Sequence, residues 1–578
     1  MSAAATTQEL QASGDDLASL WRATHGDFPG GSARAQLELT WQDVAGYRQR
    51  LFARARRAMR GFTSRLDGSI DLFHDLVEVH TKTRAAASRL AFVHAVAGEA
   101  LRGTSFERLE QQSTALSSMW VERGVVPGDA VSLVAGPGLQ RAVGLLAGLR
   151  LGAKMSLVEP NGRTYVRNRI RWLAPSYVAG EDGLQWYGCE QPTLPITCTR
   201  GVATTTAAHR YAPDEVALSF VSPFGPAVAG GAGPVCELTA VDCMARWLTD
   251  ILLLMPVAEG EKVAAIGRSR EVMEPCLWLA VLLAGGTFVD LELDVCRQRP
   301  ELLASAGVNL LFVSNDMVPL LLRRPDLCSS LKRWSFDPSA ALAVQPLWAL
   351  AERLSARGAT VANLVYSAPF GGCVAFSPRA LRLQPLRVLP TPGLSFCLHD
   401  VGGSGAAVPV DHGVLAAEGC SEAQLGGIML AANQQAYSIS GGLRPRVAGR
   451  CYPEQEVEML ACSHPAVAHA KVIVVADRDV MNDGCAHLLL FVAPYHAAAT
   501  AGQGDLIRDM QCLLARELGP MVSPLRVEVF ALAPRLLDGQ VDAVWARGQY
   551  LTGLLNRKRG LRTYLMLTKL RNLLASGV

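Results

Sequence analysis

No CxxC pair occurs in this chain, and its 14 cysteines are scattered singly from Cys189 onward. That absence excludes zinc ribbons and disulfide scaffolds, and it fits reduced thiols in a cytosolic setting. The eleven histidines fall at no metal-ligand spacing, so no metal site is expected. Charge is scarce and nearly balanced: 19% of residues are charged and the formal net charge is +3. Nothing in that balance advertises nucleic acid as a partner. The longest apolar run, Cys276–Val289, is broken by Gly285 and Gly286. A bilayer span needs about 20 consecutive apolar residues, so no transmembrane helix is expected. The first twenty residues carry Asp15 and Asp16 and no long apolar core, which argues against a secretory signal. The expectation is a soluble, cytoplasmic protein.

What is present is length and hydrophobicity. The chain has 578 residues, half of them hydrophobic, which is enough for two to four domains with real cores. From Thr104 the pattern alternates. Ser105–Arg123 reads as a helix stopped by Gly124, Pro127-Gly128-Asp129 as a turn, Ala130–Ala135 as a buried strand, and Leu139–Leu149 as a helix ending near Gly152. The alternation returns at Cys276–Leu291 and Leu302–Val313. Successive units of this kind imply a mostly parallel, doubly wound sheet. Thr199–Pro213 reads as a surface connection. Beyond Val447 a compact second unit is expected: a helix at Glu454–Cys462, strands at Lys471–Ala476 and Leu488–Val492, a helix at Leu506–Leu518 and a strand at Val527–Phe530. An arginine-rich helix spans about Leu39–Phe62, with Arg48, Arg50, Arg54, Arg56, Arg57 and Arg60. Two readings stand for it, a solvated face and an anion- or partner-binding arm.

Three stretches give the arrangement a family likeness. They are LDGSIDLFHDLVEVH (Leu66–His80), TSFERLEQQSTALSSMWVERGVVPGDAVSLV (Thr104–Val134) and RVAGRCYPEQEVEMLACSHPAVAHAKVIVV (Arg446–Val475). Together they resemble the AMP-forming acyl-adenylate superfamily, its acetyl-CoA synthetase branch in particular, over roughly residues 62–545. The resemblance implies a large N-terminal domain of doubly wound mixed α/β sheets plus a small α+β C-terminal domain. It divides the chain into an N-terminal helical extension (1–65), the large domain (66–442), a hinge remnant (443–448), the small domain (449–546) and a basic helical tail (547–578). It also implies a chemistry: a carboxylate is joined to ATP as an acyl-adenylate and then passed to a thiol, usually CoA. Bringing a carboxylate to a triphosphate demands that charge be neutralised by Mg, lysines and backbone N–H donors.

Position by position, those charges are missing. The segment matching the phosphate loop is ALSFVSPFGPAVAGGAGPVCELTAVD (Ala217–Asp242). Ser222 and Gly225 remain there as a remnant nucleotide site, but Val235 and Cys236 stand where the resemblance calls for lysine and glycine. In NLVYSAPFGG (Asn363–Gly372) the pair Gly371-Gly372 keeps a turn. Ala368 replaces a threonine that bonds the AMP phosphate, Pro369 a magnesium-holding glutamate, and Val365 an adenine-facing aromatic. Tyr366 stands where an aromatic would wall the acyl pocket, and ordinary core packing is its competing role. Gly427 replaces the ribose-binding aspartate and Gly442 an arginine of the adenylate contacts, while the hinge reads LRPRV (Leu443–Val447). Finally, LAPRLLDGQV (Leu532–Val541) resembles the closing motif of the small domain, with Gln540 in place of its lysine. Losing one preorganised electrostatic contact costs about 2.7–4 kcal/mol. Here several are replaced together.

The reading that follows is a catalytically degenerate acyl-CoA-synthetase-like protein acting in binding or assembly, with no catalytic residue, no metal and no required cofactor. The competing reading is a divergent AMP-forming acid–CoA ligase using ATP, Mg and CoA. The basic, leucine-rich tail Gln549–Val578 lies beyond the matched segments and is expected to contact a protein partner. An anionic membrane surface and docking on its own domain are the other two uses weighed for it. The motif VGGSGAA (Val401–Ala407) faintly resembles a nucleophile elbow and is expected to be a turn.

Overall fold

A computed structural model describes residues 44–95, 100–181, 184–197, 207–221, 235–267, 273–314, 317–336, 344–376, 387–393, 396–399, 412–417, 428–432, 437–442, 446–447, 450–475, 485–492, 503–519, 526–537 and 539–555. The chain separates into two compact units. The larger comprises Met1–Pro160, Val166–Arg444 and Ala448–Arg450, and the smaller comprises Asn161–Tyr165, Pro445–Val447 and Cys451–Val578.

Two sheets build the larger unit. One has six strands, in the order Thr193–Pro195, Tyr177–Gly180, Ala130–Val134, Lys154–Val158, Val216–Val221 and Val235–Thr239. Its pairings are parallel except the last, where Val216–Val221 and Val235–Thr239 run antiparallel. The other sheet has 13 strands. Its parallel part runs from Leu90–Ala95 through Thr287–Asp290, Lys262–Ala265, Leu310–Val313 and Arg333–Phe336 to Thr360–Ser367, and it continues into antiparallel strands starting with Gly372–Phe376. The structure is therefore mixed α/β with doubly wound sheets, as the alternating pattern predicts.

Local chemistry sets the helix ends. Helix Phe106–Glu122 starts at Ser105, whose hydroxyl accepts from the Arg108 N–H, and the chain turns out of it at Gly124 (φ +92°). Helix Leu139–Leu151 ends at Gly152 in the left-handed region. Within that helix a Cβ on Gly148 would lie 2.0 Å from the Met155 sulfur, so glycine lets the helix lie directly on strand Lys154–Val158. The apolar run beginning at Cys276 divides into the fully buried helix Cys276–Leu283, a turn, and strand Thr287–Asp290. A buried ion pair, Arg141–Glu274, joins the first turn of helix Leu139–Leu151 to the residues leading into helix Cys276–Leu283.

Two expectations need correction. The arginine-rich helix, Val44–Ala58, is not simply a solvated face: Tyr47, Leu51, Phe52 and Ala55 are buried in the main hydrophobic cluster. Its arginines alternate with those residues at helical spacing, so the helix is amphipathic. The connection before Pro213 is likewise not all surface. Tyr211 is fully buried, donates to the Leu149 carbonyl and forms a backbone bridge with Ile70.

In the smaller unit three strands stand in the order Val467–Val475, Cys485–Val492 and Arg526–Phe530, with helices Glu454–Cys462 and Gln503–Leu518. A two-stranded hairpin, Leu536–Leu537 with Gln540–Val541, leads into helix Ala543–Leu551.

Candidate functional site

Strand Thr360–Ser367 ends in a single 3-10 turn, Ala368–Phe370, and returns as strand Gly372–Phe376. The reversal closes with Gly371 N–H donating to the Ala368 carbonyl at 2.8 Å. Gly371 sits at φ +85°, a conformation that L side chains adopt only at a cost. This turn holds the positions where the resemblance places a phosphate-bonding threonine and a metal-holding glutamate. It is hydrophobic and packed: Val365, Tyr366, Ala368 and Phe370 are all buried.

Beneath the turn lies helix Ala240–Thr249, capped by the Thr239 hydroxyl and continued by a π-helical turn, Asp250–Leu254. Such π turns are rare and recur at functional sites. The Arg246 guanidinium sits 4.8 Å from the centre of the Phe370 ring, a cation–π contact from below. Asp250 Oδ1 accepts the Cys373 N–H at 3.4 Å. A Cβ on Gly372 would come within 2.9 Å of Asp250 Oδ2, so glycine is what admits the carboxylate. The Cys276 thiol reaches the Ala368 carbonyl at 3.6 Å. Asp250 Oδ2 and the Tyr366 hydroxyl are both buried and close no hydrogen bond of sound geometry, yet each shifts the other's ionisation. From the far side helix Val44–Ala58 bolts on, with the Tyr47 and Thr249 hydroxyls 2.8 Å apart and Arg48 donating to Asp242 at 2.6 Å.

Burial governs the electrostatics here. It pushes the Asp250 carboxyl up to about 7, against the Tyr366 hydroxyl, the Cys373 N–H and Arg246, which favour the charged form. Burial lowers Arg246 to about 10. It also raises Tyr366, with Asp250 adding to the effect. Burial thus disfavours the charged form of both Arg246 and Asp250.

The remaining expected positions divide. Val235 opens strand Val235–Thr239 and Cys236 is buried in it. Pro369 lies in the 3-10 turn and Gly442 ends strand Tyr437–Gly442. Ser222, Gly225, Gly427, Leu443–Pro445 and the VGGSGAA stretch lie outside the described residues. Sequence reasoning missed Arg246, Asp250 and Cys276. One signal was available for Asp250: an acid set inside the apolar run WLTDILLLM.

A second candidate centre is the smaller unit's hairpin. Gly539 (φ +79°) makes its turn, and Gln540 is exposed opposite Leu537. Arg535 pairs with Asp542 at 3.3 Å, and Asp542 caps helix Ala543–Leu551 through the Trp545 N–H. That helix is anchored by Tyr550, whose hydroxyl donates to Glu528 and lies 2.6 Å from His487 Nδ1. Leu555 is fully buried in one cluster with Leu532, Val541 and Ala546. The first residues of the expected tail, Gln549–Leu555, are therefore part of the smaller unit's core, because Tyr550 and Leu555 fill its last places. Residues 556–578 lie outside the described residues.

Among the described residues no group of three or more His, Cys, Asp or Glu is placed to hold a metal ion. No helix among them is long and apolar enough to cross a membrane.

No family model matches the chain, and no curated protein matches it by sequence. Solved structures do. An amide bond synthetase from Marinactinospora thermotolerans superposes with a TM-score of 0.62 at 18% identity, covering 83% of this chain and 99% of that one. A double mutant of o-succinylbenzoate CoA synthetase from Bacillus subtilis, bound with a product analogue, gives 0.61 at 13%, covering 82% and 97%. Acetoacetyl-CoA synthetase from Streptomyces lividans gives 0.53 at 16%, covering 82% and 81%. The chain has the fold of the adenylate-forming synthetases.

Proposed function

We propose that this chain is an acyl-CoA-synthetase-like member of the AMP-forming superfamily, from its acetyl-CoA synthetase branch, that no longer adenylates and acts in binding or assembly. The observation carrying this reading is the turn Ala368–Phe370, which presents alanine, proline and a buried phenylalanine where phosphate and metal contacts are expected. Phe370 is held from below by Arg246, so that cation is engaged with the turn's own ring. Gln540, exposed on its hairpin, donates a hydrogen bond but brings no charge to a phosphate. Neither ATP, Mg nor CoA is required in this reading. A protein partner is, with the basic residues of 556–578 as its contact.

The test is ATP–pyrophosphate exchange with acetate, propionate and longer acids, alongside thermal melts with Mg-ATP. No exchange and no shift are expected. A bound ligand at a hundred times its Kd would stabilise the fold by about 2.7 kcal/mol, a readily measured shift. Robust exchange with any acid establishes the competing reading, a divergent carboxylic acid–CoA ligase. The observation favouring that alternative is that two ionisable groups, Arg246 and the buried Asp250, are kept beside the turn although burial disfavours the charged form of each.

A further inference from the structure

His74, Glu78 and Lys82 stand four residues apart in the sequence HDLVEVHTK, and their side chains form a chain of hydrogen bonds. His74 Nδ1 lies 3.0 Å from Glu78 Oε2, and its Nε2 lies 3.1 Å from Lys82 Nζ. The hydrogen bond to His74 favours the ionised form of Glu78. An ionised carboxylate only accepts, so Nδ1 carries the hydrogen and the tautomer is set. Nε2 then offers its lone pair to the lysine. Two protonated groups could not make that contact, because each would present a hydrogen to the other. One shared proton joins imidazole and amine. An ordinary surface lysine pairs directly with a carboxylate; here the imidazole stands between the two.

The backbone beneath is firmly held. In helix Leu72–Leu76 the side chains of Leu72, Phe73 and Leu76 are fully buried. Asp75 accepts from the N–H and the hydroxyl of both Thr63 and Ser64. These contacts fix the turn of chain that presents His74, whose side chain is 19% exposed. Further on, the Thr81 hydroxyl donates to the Glu78 carbonyl, and the Thr83 hydroxyl caps helix Arg84–Ala87. Lys82 lies between those two turns and is exposed. Gly61, at φ +80°, passes beside the amine with no side chain to cover it. A base oriented by a carboxylate and bonded to a nucleophilic atom is the arrangement that nucleophile activation requires.

We propose that Lys82 is an acyl-acceptor site, its amine taking an acyl group from a small acyl thioester, with His74 as general base and Glu78 as the positioning residue. His74 first passes one ammonium proton to water, which frees the amine. The amine attacks the thioester carbonyl carbon, and as the C–N bond forms His74 takes the proton that the nitrogen sheds. The C–S bond then breaks, and His74 returns that proton to the departing thiolate. The products are one amide on Lys82, one thiol and one proton. Acylation removes the lysine's charge. The site stands whether or not the chain adenylates.

The deciding experiment incubates the full chain with the small thioester S-acetyl-N-acetylcysteamine and follows acetylation of each lysine by mass spectrometry. Lys332, whose side chain is 63% exposed, is the reference within the same molecule. Lys82 should react about a hundredfold faster, the low end of what a positioned base contributes. His74→Gln should bring Lys82 down to the rate of Lys332 and leave Lys332 unchanged. Of the groups facing the imidazole, Glu78 and Asp75 raise its titration and Lys82 lowers it, the Glu78 hydrogen bond being the largest effect. Glu78→Gln should therefore move the rise of rate with pH to lower pH and lower its plateau. Equal rates at Lys82 and Lys332, an undiminished rate in His74→Gln, or a pH profile unmoved in Glu78→Gln overturns the proposal. If His74→Gln fails to fold, the two lysines compared in the unaltered chain still decide.

Discussion

Asp250 is the residue on which the larger unit's candidate site turns. Its carboxyl is raised by burial to about 7 in the folded chain, while an unfolded chain titrates near the ordinary value of about 3.9. The folded state therefore binds a proton that the unfolded state releases, and stability contributed below pH ~4 is lost as pH rises towards 7. Asp250→Asn keeps the acceptor for the Cys373 N–H and removes the titration. The variant should show a flatter dependence of urea midpoint on pH between about 4 and 7, and a higher midpoint at pH 7. A slope identical to that of the unaltered chain would mean that Asp250 is charged throughout. Gly371 makes a separate prediction. At φ +85°, and with Leu238 only 3.1 Å from where its Cβ would stand, Gly371→Ala should cost about 1–2 kcal/mol by chemical denaturation.

At the scale of elements, helix Ala543–Leu551 and the two residues of helix after Gly553 close the smaller unit. Leu555→Ala opens a cavity in a fully buried position and should cost about 2–5 kcal/mol. Tyr550→Phe leaves His487 and Glu528 without their shared hydroxyl and should cost about 1–3 kcal/mol. A chain cut before Gln549 should therefore melt earlier than one cut after Leu555, which scanning calorimetry would separate. This end of the unit was not legible in the sequence. The basic run from Arg557 onward drew Gln549–Leu555 into the tail, and only packing reveals that Tyr550 and Leu555 belong to the core. The elements at Ser105–Leu149, Cys276–Leu291 and Leu302–Val313 were legible, because helical and strand periods leave different marks and glycines sit at the ends, whereas the strands and helices between Lys154 and Ala265 went unread. The packed state of Ala368–Phe370 was half legible: the letters show alanine, proline and phenylalanine in the turn, but not that Arg246, distant in sequence, holds Phe370. Asp250 hid for the same reason, since its neighbours in space come from other strands.

For the molecule as a whole, the proposed loss of charge at separate places makes single reversions weak. Gln540→Lys supplies one cation while Ala368, Pro369 and Val235 stay neutral, and exchange activity should remain undetectable in the single variant. A large gain from that one change would mean the other positions had been wrongly matched. A different consequence follows from the pairing of strand Leu90–Ala95 with strand Thr287–Asp290. The Thr287 hydroxyl donates to the Leu90 carbonyl across 197 residues of chain. The whole six-stranded sheet is thus inserted between two neighbouring strands of the other sheet. A growing chain leaves Leu90–Ala95 without its parallel neighbour until residue 290 has emerged, and closing that loop is entropically slow. Assembling the inserted sheet first shortens the effective loop, so it should gain amide protection early in refolding, with the larger sheet closing last.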